Sequence, residues 1–171
     1  NTTDTSDPTQ VGSLTNWSSI TIGSQTPLCI KTDGTMWAWG KNAAGECGDG
    51  TTTVRSSPIQ IGALTTWESA SNAAYHAAAI KTDGTLWAWG RNDLGQLGLG
   101  DTTNRSSPVQ VGSLTNWKAT TSDDLLAGTP VKFAPGKDTI GIIKDDGTLW
   151  TWGYGGSGAL GNGATADISS P

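Results

Sequence analysis

Three stretches open with Asp-Gly and run on as Asp-Gly-Thr-x-Trp-x-Trp-Gly, beginning at Asp33, Asp83 and Asp146. With the lone His76 and the two thiols Cys29 and Cys47, they hold the side chains whose types could do chemistry. Carboxylates can act as general acids or bases, an imidazole can move a proton near neutral pH, a thiolate can attack carbon or bind metal, and indoles can stack on sugars or bases. Spacing argues against most of these uses. A catalytic constellation is needed once, whereas the carboxylates recur at steps of 50 and 63 residues (33 to 83 to 146). One histidine and two distant cysteines give no metal-ligand spacing, and no G-x-S-x-G, P-loop or H-E-x-x-H pattern occurs. We therefore expect no enzyme, no metal and no cofactor, with the three Asp acting as turn residues.

A residue type that recurs at a fixed interval is a building element, and the nine Trp fall into three such classes. Trp17, Trp67 and Trp117 form one, Trp37, Trp87 and Trp150 another, and Trp39, Trp89 and Trp152 the third. Large aromatics at strand positions contribute most where one repeat packs on the next, so all nine are expected in the repeat core rather than on a ligand-stacking surface. Cys29 aligns with Ala79 and Ile142, and Cys47 with Leu97 and Leu160, so both thiols are expected buried and unpaired.

The elements that must position these residues read as strands. "PIQIG" and "PVQVG" alternate apolar with polar, "HAAAIK" and "TIGIIK" are short and apolar, and "LWAWG" sets two Trp on one face at period two. Asp-Gly, which suits a positive-φ hairpin turn, joins the last two. Four short strands at a period near 50 residues predict an all-β chain of propeller blades. Three repeat units follow, at 1–56, 57–106 and 107–171. The third contains 13 extra residues between Trp117 and Lys144, set within "SDDLLAGTPVKFAPGKD" at 122–138.

Ten Lys plus Arg against fifteen Asp plus Glu give a net charge of −5, which argues against nucleic acid and anionic membrane as partners. No apolar run is long enough to span a bilayer, and "NTTDTSDP" has neither a basic nor an apolar leader segment.

The stretch from His76 to Asp101, "HAAAIKTDGTLWAWGRNDLGQLGLGD", resembles the repeat of the regulator of chromosome condensation family, in its bacterial and phage-type wording similar to alpha-tubulin suppressor-like proteins. The resemblance implies a β-propeller, usually of seven blades, in which His76 is a structural repeat residue. The other copies depart from the pattern: Thr26 and Thr139 stand for the His, and Glu46 and Ala159 for Gln96. Both ends of the chain lie in the same inter-blade loop, so we expect further blades, from the same chain or from other subunits.

Only the insertion is not demanded by the repeat. Asp123, Asp124, Leu125, Leu126 and Phe133 are its candidate partner-binding residues, since long loops on a rigid scaffold carry recognition. The function expected is a non-enzymatic binding or structural module of an extracellular or virion-surface protein, meeting a protein or glycan through its loops, with a cytoplasmic setting as the alternative. The resemblance also implies two other functions: nucleotide exchange on a small GTPase, and inhibition of an enzyme by aromatic loop residues, for which only Tyr75, Phe133 and Tyr154 stand outside the Trp classes.

Overall fold

The computed structural model describes residues 7–117 and 133–171. Strands β1 (Trp17–Ile22), β2 (Pro27–Lys31), β3 (Met36–Gly40) and β4 (Arg55–Gln60) pair in that order in one antiparallel sheet. β5 (Trp67–Asn72), β6 (His76–Lys81), β7 (Leu86–Gly90) and β8 (Arg105–Gln110) repeat the order in a second. β9 (Phe133–Pro135), β10 (Thr139–Ile143) and β11 (Leu149–Gly153) form a third, and a bridge from Gly153 to Ile168 stands where β4 and β8 flank the others. The chain is thus a partial propeller of about three blades.

The sheets are offset from the sequence units. Arg55–Gln60 pairs with β3, so the blade boundary expected at 56/57 falls inside a strand of the first sheet, and that at 106/107 falls likewise inside β8. The physical reason is that "SPIQ" hydrogen-bonds back onto the strand before it, leaving the polar turn after Gly62 as the true crossing. A similar shift applies to the insertion. Phe133 pairs with Ile142 as Ala70 pairs with Ala79, so Phe133–Pro135 belongs to the blade, and the extra residues fall between Trp117 and Phe133. In the first two sheets that interval is a bulge, between Trp17 and Ser19 and between Trp67 and Ser69. Extra length enters where the ladder is already broken.

The Asp-Gly hairpins take a particular form. Gly34 N donates to Lys31 O and Lys31 N to Thr35 O, both at 2.9 Å, and Gly34 alone adopts positive φ, at 76°. This is a type I turn closed by a left-handed glycine, and Asp33 serves through its side chain, not through its backbone angles.

The core lies between sheets. Along β6, Ala77 and Ala79 face the first sheet with Leu28, Ile30, Met36 and Trp89, while Ala78 and Ile80 face the third with Ile140, Ile142 and Trp152. Both faces are covered, which is why "HAAAIK" reads as a continuous small apolar run and not as an alternation.

Candidate functional site

Each Asp-Gly-Thr-x-Trp phrase builds the same polar chain. Asp83 Oδ1 accepts from Thr85 N at 3.0 Å and Thr85 Oγ1 at 2.6 Å, and Thr85 Oγ1 accepts from Trp87 Nε1 at 2.9 Å. Asp33 and Asp146 repeat it with Thr35 and Trp37, and with Thr148 and Trp150. The threonine hydroxyl bond holds all three carboxyls below the usual carboxylate range. They are ionised turn anchors, unsuited to proton exchange near neutral pH.

The same phrase begins with a lysine that composition alone did not single out. Lys81 Nζ lies 3.6 Å from the Trp87 ring centroid and 5.1 Å from that of Trp67, and the two rings meet edge to face at 6.1 Å. Lys31 sits in the same way between Trp37 and Trp17, and Lys144 between Trp150 and Trp117. A cation against two indole faces stabilises each blade through electrostatics as well as burial. The period-50 spacing of Lys31 and Lys81 beside the Trp classes was the available signal.

The third Trp class joins blade to blade. Trp89 Nε1 donates to Glu46 O at 2.9 Å, and Trp152 Nε1 to Gln96 O at 3.0 Å, each crossing from one sheet to the corner of the preceding one. Both indoles are fully buried. Each corner is shaped for the ring: a Cβ on Gly48 would stand 2.7 Å from Trp89 Nε1, and one on Gly98 equally close to Trp152 Nε1. The corners are organised by buried amides. Asn92 Oδ1 accepts from Leu97 N while its Nδ2 donates to Asp101 and Thr103 carbonyls, and Asn42 does the same around Cys47.

Trp39 is the exception. It is only half-buried and lines, with Val11, Leu14, Trp17, Ile20 and Cys29, an apolar depression of about 390 Å³ on the outer face of the first sheet. Ile20 and Ile22 beside it are 62% and 65% exposed. At the other end, a Cβ on Gly161, the counterpart of Gly48 and Gly98, would meet nothing within 4 Å among the described residues. Eight of the nine Trp thus lie on packed seams or in the Lys-Trp stacks, while Trp39 lines the outer depression of the first sheet.

The remaining reactive types are buried. His76 is buried, and neither ring nitrogen finds a hydrogen-bond partner among the described residues. Burial pushes its pKa down to about 4, with the Asp138 carboxylate opposing that fall. Burial pushes the Cys29 thiol up to about 11 and the Cys47 thiol up to about 12, and neither forms a disulfide. Asp123, Asp124, Leu125 and Leu126 lie outside the described residues. Phe133 lies in β9, so sequence reasoning placed a blade residue in the loop. No group of three or more potential metal ligands occurs among the described residues, and no helix among them is long and apolar enough to cross a membrane.

Antiparallel blades locked together by tryptophan define a β-propeller repeat protein. The family model of the regulator of chromosome condensation (RCC1) repeat matches residues 33–80, 83–121 and 146–171, more than half of the sequence, and the chain belongs to that family. No curated protein matches it. Among solved structures, Prp20p from Saccharomyces cerevisiae, studied with its binding properties to Gsp1p and histones, superposes with a TM-score of 0.76 at 20% identity, over 92% of this chain and 38% of that one. Yeast RCC1 (Prp20) bound to Kap60 gives 0.76 at 18% identity, over 92% and 37%. Human WBSCR16 gives 0.56 at 18%, over 91% and 52%. The chain therefore spans about 38% of the length of the Prp20p structure.

Proposed function

We propose that this chain is a non-enzymatic protein-binding segment of an RCC1 propeller, and that the open face of its first sheet is completed by the glycine-rich corner of another blade. The observation that carries this is the Trp39 depression. The two sibling seams specify its occupant: a left-handed glycine corner whose backbone carbonyl accepts the indole N–H, as Glu46 and Gln96 do. Exposed Ile20 and Ile22 supply the apolar area that such a blade would bury, on the order of 25 cal/mol per Å². With the open corner at Gly161, the chain presents both halves of a head-to-tail joint. The joint is the same whether the blade belongs to the rest of the same protein or to a second copy.

Non-enzymatic binding is supported by the state of the reactive groups, since the buried His76, the raised thiols and the anchored Asp residues leave no activated nucleophile or base among the described residues. A low Lys content with Ser-, Thr- and Gly-rich loops supports an extracellular or virion-surface setting, with a protein or glycan partner met through the loops. Regulation of a small GTPase is a second reading, favoured by the likeness to Prp20p and its binding to Gsp1p, and it would place the protein inside cells. Acceleration of nucleotide release from a GTPase by the purified chain would select it.

Analytical ultracentrifugation tests the seam. The chain should associate as its concentration rises, and the double variant Ile20→Glu, Ile22→Glu should stay monomeric with its thermal midpoint unchanged. A wild-type chain that remains monomeric at every concentration, or a variant that associates equally, would remove the basis for the joint.

A further inference from the structure

Five times in this chain a glycine follows an aspartate or asparagine: Asp33-Gly34, Asp49-Gly50, Asp83-Gly84, Asp146-Gly147 and Asn162-Gly163. Such a step is chemically labile, because a glycine nitrogen with no Cβ beside it can reach the preceding side-chain carbonyl carbon. In the four Asp-Gly steps both reactants are restrained. Gly34, Gly84 and Gly147 N donate to the carbonyls of Lys31, Lys81 and Lys144 at 2.9, 2.9 and 3.0 Å, and Gly50 N donates across the seam to Ser106 O at 2.8 Å. Their side chains are carboxylates, and an ionised carboxylate is a poor target for a nucleophile.

Asn162-Gly163 differs on both counts. Its side chain is a neutral amide whose Oδ1 accepts from Ala164 N at 3.0 Å, which draws electrons away from Cγ. Gly163 N finds no backbone acceptor among the described residues, and both residues are exposed. The repeat shows how this nitrogen is bonded elsewhere. Gly163 stands at the position of Gly50 and Gly100, and Gly100 N also donates across a seam, to Ser169 O at 2.6 Å. Ser106 and Ser169 belong to the blade that follows each corner, and the same place in the first sheet is held by the exposed Ser56 of β4.

We propose that Asn162-Gly163 is a deamidation site governed by the blade joint: it reacts while the corner is open and is protected once a further blade bonds Gly163 N. The protection rests on the joint described above; the reactivity does not. In the reaction Gly163 N loses its proton and attacks Asn162 Cγ, so that the N–Cγ bond forms, the Cγ–Nδ2 bond breaks and the side-chain nitrogen leaves as ammonia. Water then opens the resulting succinimide. Opening at Cγ gives aspartate, the residue already present at Asp49, whose Oδ1 accepts from Thr51 N at 3.0 Å as Asn162 Oδ1 does from Ala164 N. Opening at the backbone carbonyl gives isoaspartate, whose main chain runs through the side chain and is longer by one carbon. That carries Gly163 N away from the place where Gly50 and Gly100 meet the next blade, so a chain left unjoined ages into one that no longer joins.

The test incubates two full chains in mildly alkaline buffer, the Ile20→Glu, Ile22→Glu monomer and the wild type at an associating concentration. Peptide mass spectrometry, with fragmentation that separates aspartate from isoaspartate, follows each asparagine. In the monomer Asn162 should deamidate ahead of Asn104, which is also exposed but precedes Arg105. In the associated chain Asn162 should react roughly fivefold to tenfold more slowly, the worth of one backbone hydrogen bond. Purified isoaspartyl chains should fail to associate. Asn162 intact in the monomer, or overtaken by Asn104, would overturn the site. Equal rates in the two samples, or isoaspartyl chains that associate like the parent, would overturn its control by the joint. A wild type that stays monomeric removes the joint, and the protection with it, while the Asn162 rate in the monomer still decides the site.

Discussion

The indole N–H of Trp89 reaches across the seam between the first two sheets and donates to the backbone carbonyl of Glu46, 43 residues earlier in the chain, at 2.9 Å. Trp152 does the same to Gln96 at 3.0 Å. Between them these contacts turn a row of separate sheets into one stack, and they assign different consequences to substitutions that look equivalent in sequence. Trp89→Ala should cost about 3 to 5 kcal/mol, because it removes a fully buried ring and its bond together. Trp39→Ala should cost about half of that or less in the isolated chain, where the ring is partly in water. Urea unfolding of the two variants measures the difference.

The receiving corners make a parallel comparison. Gly98 adopts φ of 69°, and an added Cβ would press on Trp152 Nε1. Gly98→Ala should therefore lose about 2 to 4 kcal/mol, backbone strain plus displacement of the ring. Gly161 has nearly the same φ, 68°, with open space beside it, so Gly161→Ala should lose only the backbone part, about 1 kcal/mol. Chemical denaturation of both variants gives the two numbers.

His76 gives the fold a pH dependence with a defined sign. Its folded-state pKa is pushed down to about 4, chiefly by burial, while the unfolded chain titrates near the ordinary 6.5. The unfolded state therefore binds the proton first, and stability that is complete above about pH 6.5 is lost as the pH falls toward 4, by about 3 kcal/mol in all. Asp138 and Arg91 act on the same imidazole, the first raising its pKa and the second lowering it. His76→Thr, which installs the residue found at Thr26 and Thr139, should flatten this part of the profile and leave the carboxylate titration at lower pH unchanged. Thermal midpoints of both proteins between pH 7 and pH 4 provide the check.

Lys81 is held between Trp87 and Trp67, and its partial burial lowers its pKa, with Asp83 opposing. Lys81→Met keeps the apolar stem and removes the charge. Loss of the cation over two indoles should cost about 1 kcal/mol, measurable by denaturant unfolding at pH 7. A variant as stable as the parent would assign the contact to packing alone.

The all-β blades, the repeat classes of Trp and the buried state of both thiols were legible in sequence because they depend on period, and period survives without coordinates. Four features were not. The strand Arg55–Gln60 belongs to the sheet before it, since pairing partners across a loop leave no trace in a local pattern. Phe133 looks like part of the insertion until its register against Ile142 is known. The Lys-Trp stacks were hidden for a different reason: a lysine at the start of a polar turn reads as solvated, and only the fold shows that its ammonium is covered by two rings. The exceptional place of Trp39 was equally invisible, because its sequence surroundings match those of Trp89 while its neighbours in space do not.

The most direct measurement is hydrogen exchange at the three indole N–H groups of Trp39, Trp89 and Trp152, resolved by NMR on ¹⁵N-tryptophan-labelled protein, in the monomeric Ile20→Glu, Ile22→Glu variant and in the associated wild-type chain. The expected result is strong protection of Trp89 and Trp152 in both samples, with Trp39 exchanging freely in the monomer and becoming protected on association. Trp39 protected in the monomer, or still exchanging freely in the assembly, would contradict a face built to receive the corner of another blade.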